Sequence, residues 1–290
     1  MKKATLRIII IVLAATILFT GCSEEEEVLT MGFVPMRDGE QLIESLEPLE
    51  EMISREMGIT VEAFTATNYV GVVEGLGSGQ VDFGFIPPFA YALANGESDA
   101  RVALTVLNAS GESSYQSQFL VREDSDIESF EDLYGKTVAF VDPSSTSGYL
   151  FPGAHLYDQG IDMEEDISYL YSGGHDQSLQ LLLSGDVDAA VTFVDARERY
   201  QEDFPNALVE TRVLGHTEKI PNISVTISDS LDPETEEKLQ EALIKIGDTK
   251  EGAELLAELF NIHGFVIAED RDYDIIRDTA KIMNVDLSNQ

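Results

Sequence analysis

The chain has 290 residues, 43% of them hydrophobic, so it can bury one large core or two smaller ones, and a disordered chain or a miniature scaffold is excluded. Its 18 Lys and Arg residues face 54 Asp and Glu residues, which gives a formal net charge of −36. Because such a surface repels phosphate backbones, nucleic acid is excluded as a partner, and small anions should be repelled as well.

The N-terminus has the pattern of an export signal. Three basic residues precede an apolar run over residues 8–19, which is too short to favour a membrane-spanning helix. Gly21 stands directly before Cys22, as in a bacterial lipobox, although Phe19 occupies the place of the usual Leu. We expect residues 1–21 to be a cleaved signal peptide and Cys22 to carry a lipid. The alternative is an uncleaved anchor, and in both cases the protein is exported and tethered.

Cleavage before Cys22 makes the exported chain more acidic. Removal of the three basic residues of the signal leaves 15 basic residues against 54 acidic ones, and a charge of −39. Residues 22–27 form an acidic spacer, and no long apolar run follows, so the remainder should lie outside the membrane. A single cysteine excludes an internal disulfide.

Strands and helices alternate along the rest of the chain. The hydrophobic pattern predicts strands over residues 28–34, 59–63, 81–86, 118–122, 137–141, 187–193 and 224–227. It predicts helices over residues 41–57, 70–76, 130–133, 149–159, 178–183, 234–246, 253–260 and 272–283. This rhythm is typical of an α/β fold with mainly parallel sheets.

An internal repeat indicates two related halves. Residues 78–82 (SGQVD) recur as residues 184–188 (SGDVD), each between a predicted helix and an apolar strand. The same shift of 106 positions relates Tyr69 to His175 and Phe89 to Asp195. A chance match is the alternative, but the matching context favours two similar α/β lobes. Ligands of such sheets lie beyond the carboxyl ends of the strands, where these residues fall.

Residues 142–152 (DPSSTSGYLFP) form the densest polar motif. Four successive hydroxyl residues follow a predicted strand and open a predicted helix, whose first turn has unpaired N–H groups and a partial positive charge. With Gly148, which allows close approach to the backbone, they can cradle a tetrahedral oxyanion. The alternative is an N-cap in which one Ser or Thr satisfies the helix.

The motif DPSSTSGYLFP resembles the signature of the phosphate/phosphite/phosphonate-binding proteins of ABC importers. Shorter segments resemble other parts of that family in the same order, at residues 67–76 (TNYVGVVEGL), 114–117 (SYQS), 174–175 (GH), 195 (D) and 220–222 (IPN). The resemblance covers nearly all of the chain after the spacer. It implies the type II periplasmic-binding-protein fold: two Rossmann-like lobes with mainly parallel sheets, a two-segment hinge and a ligand cleft between them.

The resemblance also implies site residues. The phosphorus oxygens would be held by Ser145, Thr146 and Ser147 with their amides, and by Tyr69 and His175. Tyr115 would close one wall near the hinge. Members that bind aminophosphonates hold the amine with two acidic residues; Asp195 matches one of them, but Asn222 stands at the other. Phosphite, phosphate or a small alkylphosphonate is therefore at least as well supported as an aminoalkyl ligand.

Asp195 then needs another role. An ionised carboxylate can only accept hydrogen bonds, so Asp195 could select an oxyanion that carries a P–OH group. The alternative is an ion pair with Arg197 or Arg199. We expect lobe 1 to comprise residues 28–120 and 225–290, and lobe 2 residues 121–224.

The predicted function is a monomeric, lipid-anchored, extracytoplasmic solute-binding protein that delivers a small phosphorus oxyanion to an ABC permease and its ATPase. No cofactor, metal or catalytic residue is expected. One alternative is a hydrolase of phosphate esters, although a Gly-x-Ser-x-Gly motif and a two-metal carboxylate set are missing. A sensor or interaction protein that kept the fold is another.

The acidic surface is compatible with an anion site. Residues 138–154 contain no Lys or Arg, so the cradle would rely on amides, hydroxyls and a helix terminus. These groups act at contact range, whereas repulsion from exposed carboxylates is screened beyond about 8–10 Å at ordinary salt.

Overall fold

The computed structural model describes residues 28–35 and 39–287. The predicted signal peptide, the lipidation site at Cys22 and the acidic spacer lie outside the described residues. Within them the chain forms two large sheets and one small one. None of the described helices is both long and apolar enough to cross a bilayer.

The first sheet has six strands in the order β13-β4-β12-β3-β1-β2. Strand β1 pairs in parallel with β2 and β3, whereas β12 is antiparallel to β3 and β4, and β13 is antiparallel to β4. The bounds are β1 Val28–Phe33, β2 Thr60–Thr65, β3 Phe83–Ile86, β4 Arg101–Val106, β12 Ser224–Ile227 and β13 Phe265–Ile267.

The second sheet has five strands in the order β10-β6-β9-β7-β8. Strand β7 pairs in parallel with β8 and β9, and β6 is antiparallel to β9 and β10. The bounds are β6 Ser117–Arg122, β7 Thr137–Phe140, β8 Ser168–Tyr171, β9 Ala189–Phe193 and β10 Thr211–His216.

A two-stranded antiparallel sheet joins the two lobes. It pairs β5 (Ser114–Tyr115) with β11 (Ile220–Pro221), where the chain passes from one large sheet to the other and back. Strand β6 lies wholly in the second sheet, so the expected boundary after residue 120 falls inside it. The return crossing lies between β11 and β12, beside the expected boundary at residue 225.

Both large sheets are mixed, which corrects the expectation of mainly parallel pairing. Strands β6 and β12 directly follow β5 and β11, the two hinge strands. Each therefore begins at the end of its sheet that faces the cleft. The parallel strands finish at this end of the sheet, and a strand that begins there must run antiparallel to them.

The ten α-helices of the described residues cover both faces of the two large sheets. Their bounds are α1 Gly39–Met57, α2 Tyr69–Ser78, α3 Pro88–Ser98, α4 Phe151–Asp158, α5 His175–Ser184, α6 Ala196–Arg199, α7 Ala207–Glu210, α8 Pro233–Asp248, α9 Lys250–Phe260 and α10 Asp274–Ile282.

Four apolar clusters lie between the helices and the sheets. On the first sheet, α1, α8 and α9 bury one face, and α2, α3 and α10 bury the other. On the second sheet, α4 covers one face, and α5, α6 and α7 cover the other. The cluster around α3 also includes Leu150 and Phe151 of the second lobe, so apolar packing continues between the lobes.

The repeated pentapeptide has the same structure in both lobes. Its glycine ends the preceding helix in the left-handed conformation, with φ of 71° at Gly79 and 80° at Gly185. Its final aspartate then accepts a hydrogen bond from the amide of the lobe's first parallel strand: Asp82 from Thr30 at 2.7 Å, and Asp188 from Thr137 at 2.9 Å. The repeat therefore fixes one helix-to-strand turn in each lobe, and it sets Tyr69 and His175 at equivalent helix starts.

Candidate functional site

A cavity of about 520 Å³ lies between the lobes, beside the hinge. Seven of the eight ligand residues expected from the sequence line it: Tyr69, Tyr115, Ser145, Ser147, His175, Asp195 and Asn222. Thr146 does not. The described residues contain no group of three or more His, Cys, Asp or Glu side chains that could hold a metal ion.

The hydroxyl run makes a tight turn after β7. Ser145 caps a single π-helical turn over Thr146–Leu150, and its Oγ accepts a hydrogen bond from the Gly148 amide at 3.1 Å. Because the oxygen acts as acceptor there, the hydroxyl hydrogen can be donated to Tyr69 or to a ligand in the cavity. The N-cap and the anion cradle, which were alternatives in the sequence, are therefore compatible roles of one side chain.

Thr146 joins the two lobes. Its Oγ1 accepts a hydrogen bond from the amide of Phe89, at the start of α3, with a separation of 2.9 Å. Thr146 is fully buried, and its neighbours Ser145 and Ser147 face the cavity. The structure therefore gives Thr146 a role different from the one that the resemblance implies, because alternate residues of the turn face opposite sides.

Two tyrosine hydroxyls supply neutral donors. Tyr69 is the first residue of α2, and burial raises the pKa of its phenol despite a hydrogen bond with Ser145. Tyr115 lies in the hinge strand β5, and burial raises its pKa to about 12, although a hydrogen bond with Ser147 opposes this. Both phenols therefore keep their proton at neutral pH and can donate to an anion.

His175 contributes from the second lobe. It is the first residue of α5 and is 7% exposed, and its Nδ1 lies 2.9 Å from Oγ1 of Thr192. Burial lowers the pKa of the imidazole to about 3, so the ring is neutral at physiological pH. When the Thr192 hydroxyl donates to Nδ1, the ring proton lies on Nε2, which can then donate to a ligand.

The burial of His175 predicts a pH dependence of stability. Its folded pKa of about 3 lies below the unfolded value near 6.5, so acid protonates the unfolded state first. The stabilisation is present above pH 6.5 and is lost as the pH falls towards 3. Between pH 7 and pH 5 we expect wild type to lose about 2 kcal/mol of unfolding free energy relative to His175→Gln. Denaturant titrations at both pH values measure this.

Exposed His263 supplies the matched control for that measurement. His263→Gln shares every other titratable group with wild type, so it corrects for the general effect of acid on this carboxylate-rich chain. A free-energy difference between wild type and His175→Gln that does not change with pH would contradict the assignment of a buried neutral imidazole.

Asp195 lies at the rim, before the short helix α6. Its backbone is left-handed, with φ of 69°, and its side chain lines the cavity. Burial, and to a lesser extent repulsion from Glu198, raises the pKa of its carboxyl. The guanidinium groups of Arg197 and Arg199 donate to backbone carbonyls, that of Arg197 to the carbonyl of Thr211 and that of Arg199 to the carbonyl of Glu258.

Asn222 follows the second hinge strand. Its amide donates to the carbonyl of Ser113 at 2.9 Å, and the residue lines the cavity. The hinge also carries an ion pair between Glu112 and Lys219, 2.9 Å apart, and both residues lie at the rim. The sequence reasoning did not select this pair, and only the pairing of the hinge strands brings its members together.

An aromatic wall was also missed. Phe85, Phe193 and Phe260 line the cavity. Phe85 and Phe260 each stack on Phe33, with ring centroids 5.3 and 5.2 Å apart. These rings come from two strands of the first sheet, one strand of the second and the end of α9, so no local motif identifies the wall.

Known proteins share this fold. A family model described as the periplasmic substrate-binding protein of the phosphonate ABC transporter matches residues 31–273. The chain belongs to this family. Its members are extracytoplasmic transport proteins rather than enzymes, and this chain is accordingly the substrate-binding component of an ABC transporter. The predicted type II fold is confirmed by solved structures of that fold.

Individual relatives agree with the family. The phosphate-import protein PhnD of Mycolicibacterium smegmatis is 32% identical, over 88% of this chain and 86% of its own length. The phosphonates-binding periplasmic protein of Escherichia coli is 25% identical, over 81% and 71%. A crystal structure of a binding-protein component of an ABC phosphonate transporter from Pseudomonas aeruginosa is 25% identical, with a TM-score of 0.81 over 88% and 86%.

Proposed function

We propose that the cleft binds a small phosphorus oxyanion, and that a phosphonate is the preferred class over phosphite and phosphate. The convergence of neutral donors carries this proposal: the hydroxyls of Ser145, Ser147, Tyr69 and Tyr115 and the imidazole of His175 all face one cavity. Neutral donors stabilise an anion at contact range without a buried countercharge. These donors act at contact range, so they can bind an anion even though the protein as a whole is strongly acidic.

The size of the cavity supports a ligand with an organic substituent. A tetrahedral oxyanion takes the space of a few water molecules, on the order of 100 Å³. The cavity is about 520 Å³, and part of its lining is the aromatic wall of Phe85, Phe193 and Phe260. A phosphonate can place its oxygens on the donors and its carbon substituent against this wall. Because one relative is named for phosphate import and another for phosphonates, both phosphate and phosphonates are included in the binding experiment.

The bound ligand would be delivered to a membrane permease that is driven by an ATPase. The family membership supports this pairing. We further propose that a lipid on Cys22 tethers the protein to the outer face of the membrane, as the order of the basic, apolar and small residues before Cys22 indicates. Metabolic labelling with a fatty acid, compared between wild type and Cys22→Ala, tests the tether.

Calorimetry tests the ligand assignment. Purified protein is titrated with methylphosphonate, 2-aminoethylphosphonate, phosphite and phosphate, and sulfate serves as the control for non-specific anion binding. We expect a phosphonate to bind most tightly. Tightest binding of phosphate or phosphite would overturn the preference for phosphonates, and binding of none of the four above sulfate would overturn the oxyanion proposal.

The contacts of His175 argue against catalysis. An active general base near neutral pH needs a pKa in that range, whereas burial lowers that of His175 to about 3. Its Nδ1 contacts the hydroxyl of Thr192 and not a carboxylate. We expect no turnover of p-nitrophenyl phosphate with or without added metal. Turnover that disappears in Ser145→Ala would overturn a pure binding role.

Asp195 is proposed to accept a hydrogen bond from a ligand that carries P–OH. Its raised pKa reflects an environment that already disfavours the charged carboxylate. We expect the affinity of wild type for methylphosphonate to fall about tenfold from pH 5 to pH 9, because the ligand loses its proton and is then repelled. In Asp195→Asn this fall should be much smaller. Equal affinities of the two proteins for methylphosphonate and phosphite across this range would contradict the role.

A further inference from the structure

Thr192 contacts the side of the His175 ring that is turned away from the cavity. It lies in β9, next to Phe193 of the aromatic wall, and is 1% exposed. Its Oγ1 is 2.9 Å from Nδ1 of His175, and Thr192 itself does not line the cavity. Because Nδ1 is engaged by Thr192, Nε2 is the ring nitrogen that His175 presents to the cavity.

Only one direction of this hydrogen bond satisfies both groups. Among the described residues, Nδ1 of His175 is the one hydrogen-bond partner of the Thr192 hydroxyl. If the hydroxyl donates, its hydrogen is satisfied and the ring proton lies on Nε2. If Nδ1 donated instead, the buried hydroxyl hydrogen would have no acceptor, and the lone pair of Nε2 would face an anion in the cavity. Both costs favour donation by Thr192.

The ring and the strand beside it are held in place. The rings of Phe193 and His175 meet in a T-shaped contact, with centroids 4.9 Å apart. The buried hydroxyl of Ser117 bonds the carbonyl of Thr192 at 3.0 Å and that of Ser147, in the turn after β7, at 2.5 Å. All of these residues belong to the second lobe, so the arrangement does not depend on the position of the first lobe.

A hydroxyl partner fixes the tautomer without adding charge. The hydrogen bond made by one ring nitrogen of a histidine determines whether the other carries the proton. A carboxylate at Nδ1 would also stabilise the imidazolium and raise its pKa, whereas the threonine hydroxyl is neutral. Burial lowers the pKa of His175 to about 3, so the neutral ring is the form whose tautomer matters at physiological pH.

We propose that Thr192 sets the tautomer of His175 and so makes its Nε2–H a fixed donor to the oxyanion. The inference rests on the proposed function, because this N–H is one of the neutral donors of that site. Thr192 is a positioning residue, since it contacts the imidazole and not the ligand. With the proton already on Nε2, no proton has to move within the ring when the anion binds.

Three variants separate the hydroxyl from the space that it fills. Thr192→Val keeps the branched shape and removes the hydroxyl, and Thr192→Ser keeps the hydroxyl. Thr226→Val is the matched control. Thr226 is a fully buried threonine of strand β12 in the first lobe, its Oγ1 lies 2.9 Å from Oγ of Ser224, and it does not line the cavity.

Nitrogen-15 NMR of the ligand-free protein measures the tautomer. Long-range proton–nitrogen spectra at pH 7 distinguish protonated from unprotonated ring nitrogens, and His175→Gln identifies the signals of His175 among the four histidines. We expect the proton on Nε2 in wild type, Thr192→Ser and Thr226→Val, and a mixture of tautomers in Thr192→Val. A wild-type proton on Nδ1, or an unchanged tautomer in Thr192→Val, would overturn the proposal.

Calorimetry with methylphosphonate and with phosphate measures the consequence for binding. Thr192→Val should bind about tenfold more weakly than wild type, and Thr192→Ser and Thr226→Val should stay within about twofold. An unchanged affinity in Thr192→Val, or an equal loss in Thr226→Val, would overturn the role of the tautomer in binding. The NMR measurement needs no ligand, so it tests the tautomer even if no oxyanion binds and the proposed function fails.

Discussion

Ser145→Ala should lower the affinity for the preferred oxyanion about a hundredfold. The hydroxyl of Ser145 has two uses, since its oxygen caps the Gly148 amide and the residue lines the cavity, where it can donate to a ligand. A hydrogen bond to a charged group contributes about 1.5–3 kcal/mol, and loss of a cap costs about 1 kcal/mol more in stability and leaves the turn less ordered. A hundredfold change corresponds to about 2.8 kcal/mol. Calorimetry with the ligand chosen by the screen measures it.

The preceding residue is a matched control. Ser144 is fully buried, its Oγ has no hydrogen-bond partner, and it does not line the cavity. Ser144→Ala removes a hydroxyl of the same turn and should leave the affinity within about twofold of wild type, because an unsatisfied buried group contributes nothing favourable. If the two variants bind alike, Ser145 is only a structural cap and the cradle lies elsewhere.

Gly148→Ala should disrupt both the fold of the turn and ligand binding. A methyl group on Gly148 would lie 2.4 Å from two carbons of Val141 and 2.8 Å from Oγ of Ser145. Val141 directly follows β7, and its amide already donates a hydrogen bond to the Gly148 carbonyl at 2.9 Å, so neither side can move independently. We expect a loss of about 3 kcal/mol in unfolding free energy and no measurable binding by calorimetry.

Gly247→Ala separates this local overlap from the general effect of replacing glycine. Gly247 lies in helix α8, and its added methyl would meet a ring carbon of Phe265 at 3.3 Å, a contact that a small shift of the ring relieves. The gain in helix propensity, up to about 1 kcal/mol, offsets this contact. Native stability and affinity in Gly148→Ala would show that the turn after β7 can open, and would contradict the rigid cradle.

Several elements were predictable because their signals are local. The helix-ending glycines and the aspartates after them identified the repeat, since each acts within its own turn.

Two elements have clear local signals in the sequence, but the sequence analysis did not predict them. Helix α3 begins with proline at its first position after an extended Pro87, which is a start signal as well as the end of a strand. Strand β4 is a short buried apolar run between a helix cap and a turn.

Other elements gave weak signals. Strands β8 and β10 lie at the edges of their sheet, where half-exposed residues leave no clean alternation. The helices that carry Tyr69 and His175 begin at these residues, one and three positions before the predicted starts. This shift matters for function, because it places both side chains at helix N-termini that face the cleft.

The sequence by itself determined the family, the two-lobed architecture and the position of the hydroxyl-rich turn. These depend on short contiguous segments, and the backbone geometry of such segments follows from their own residues. Only the tertiary structure decided which side of the turn each hydroxyl faces, that Thr146 contacts Phe89 rather than the cavity, and that Arg199 reaches α9. Partners 57 and 59 residues apart meet because of how the lobes face one another, and no local pattern encodes that orientation.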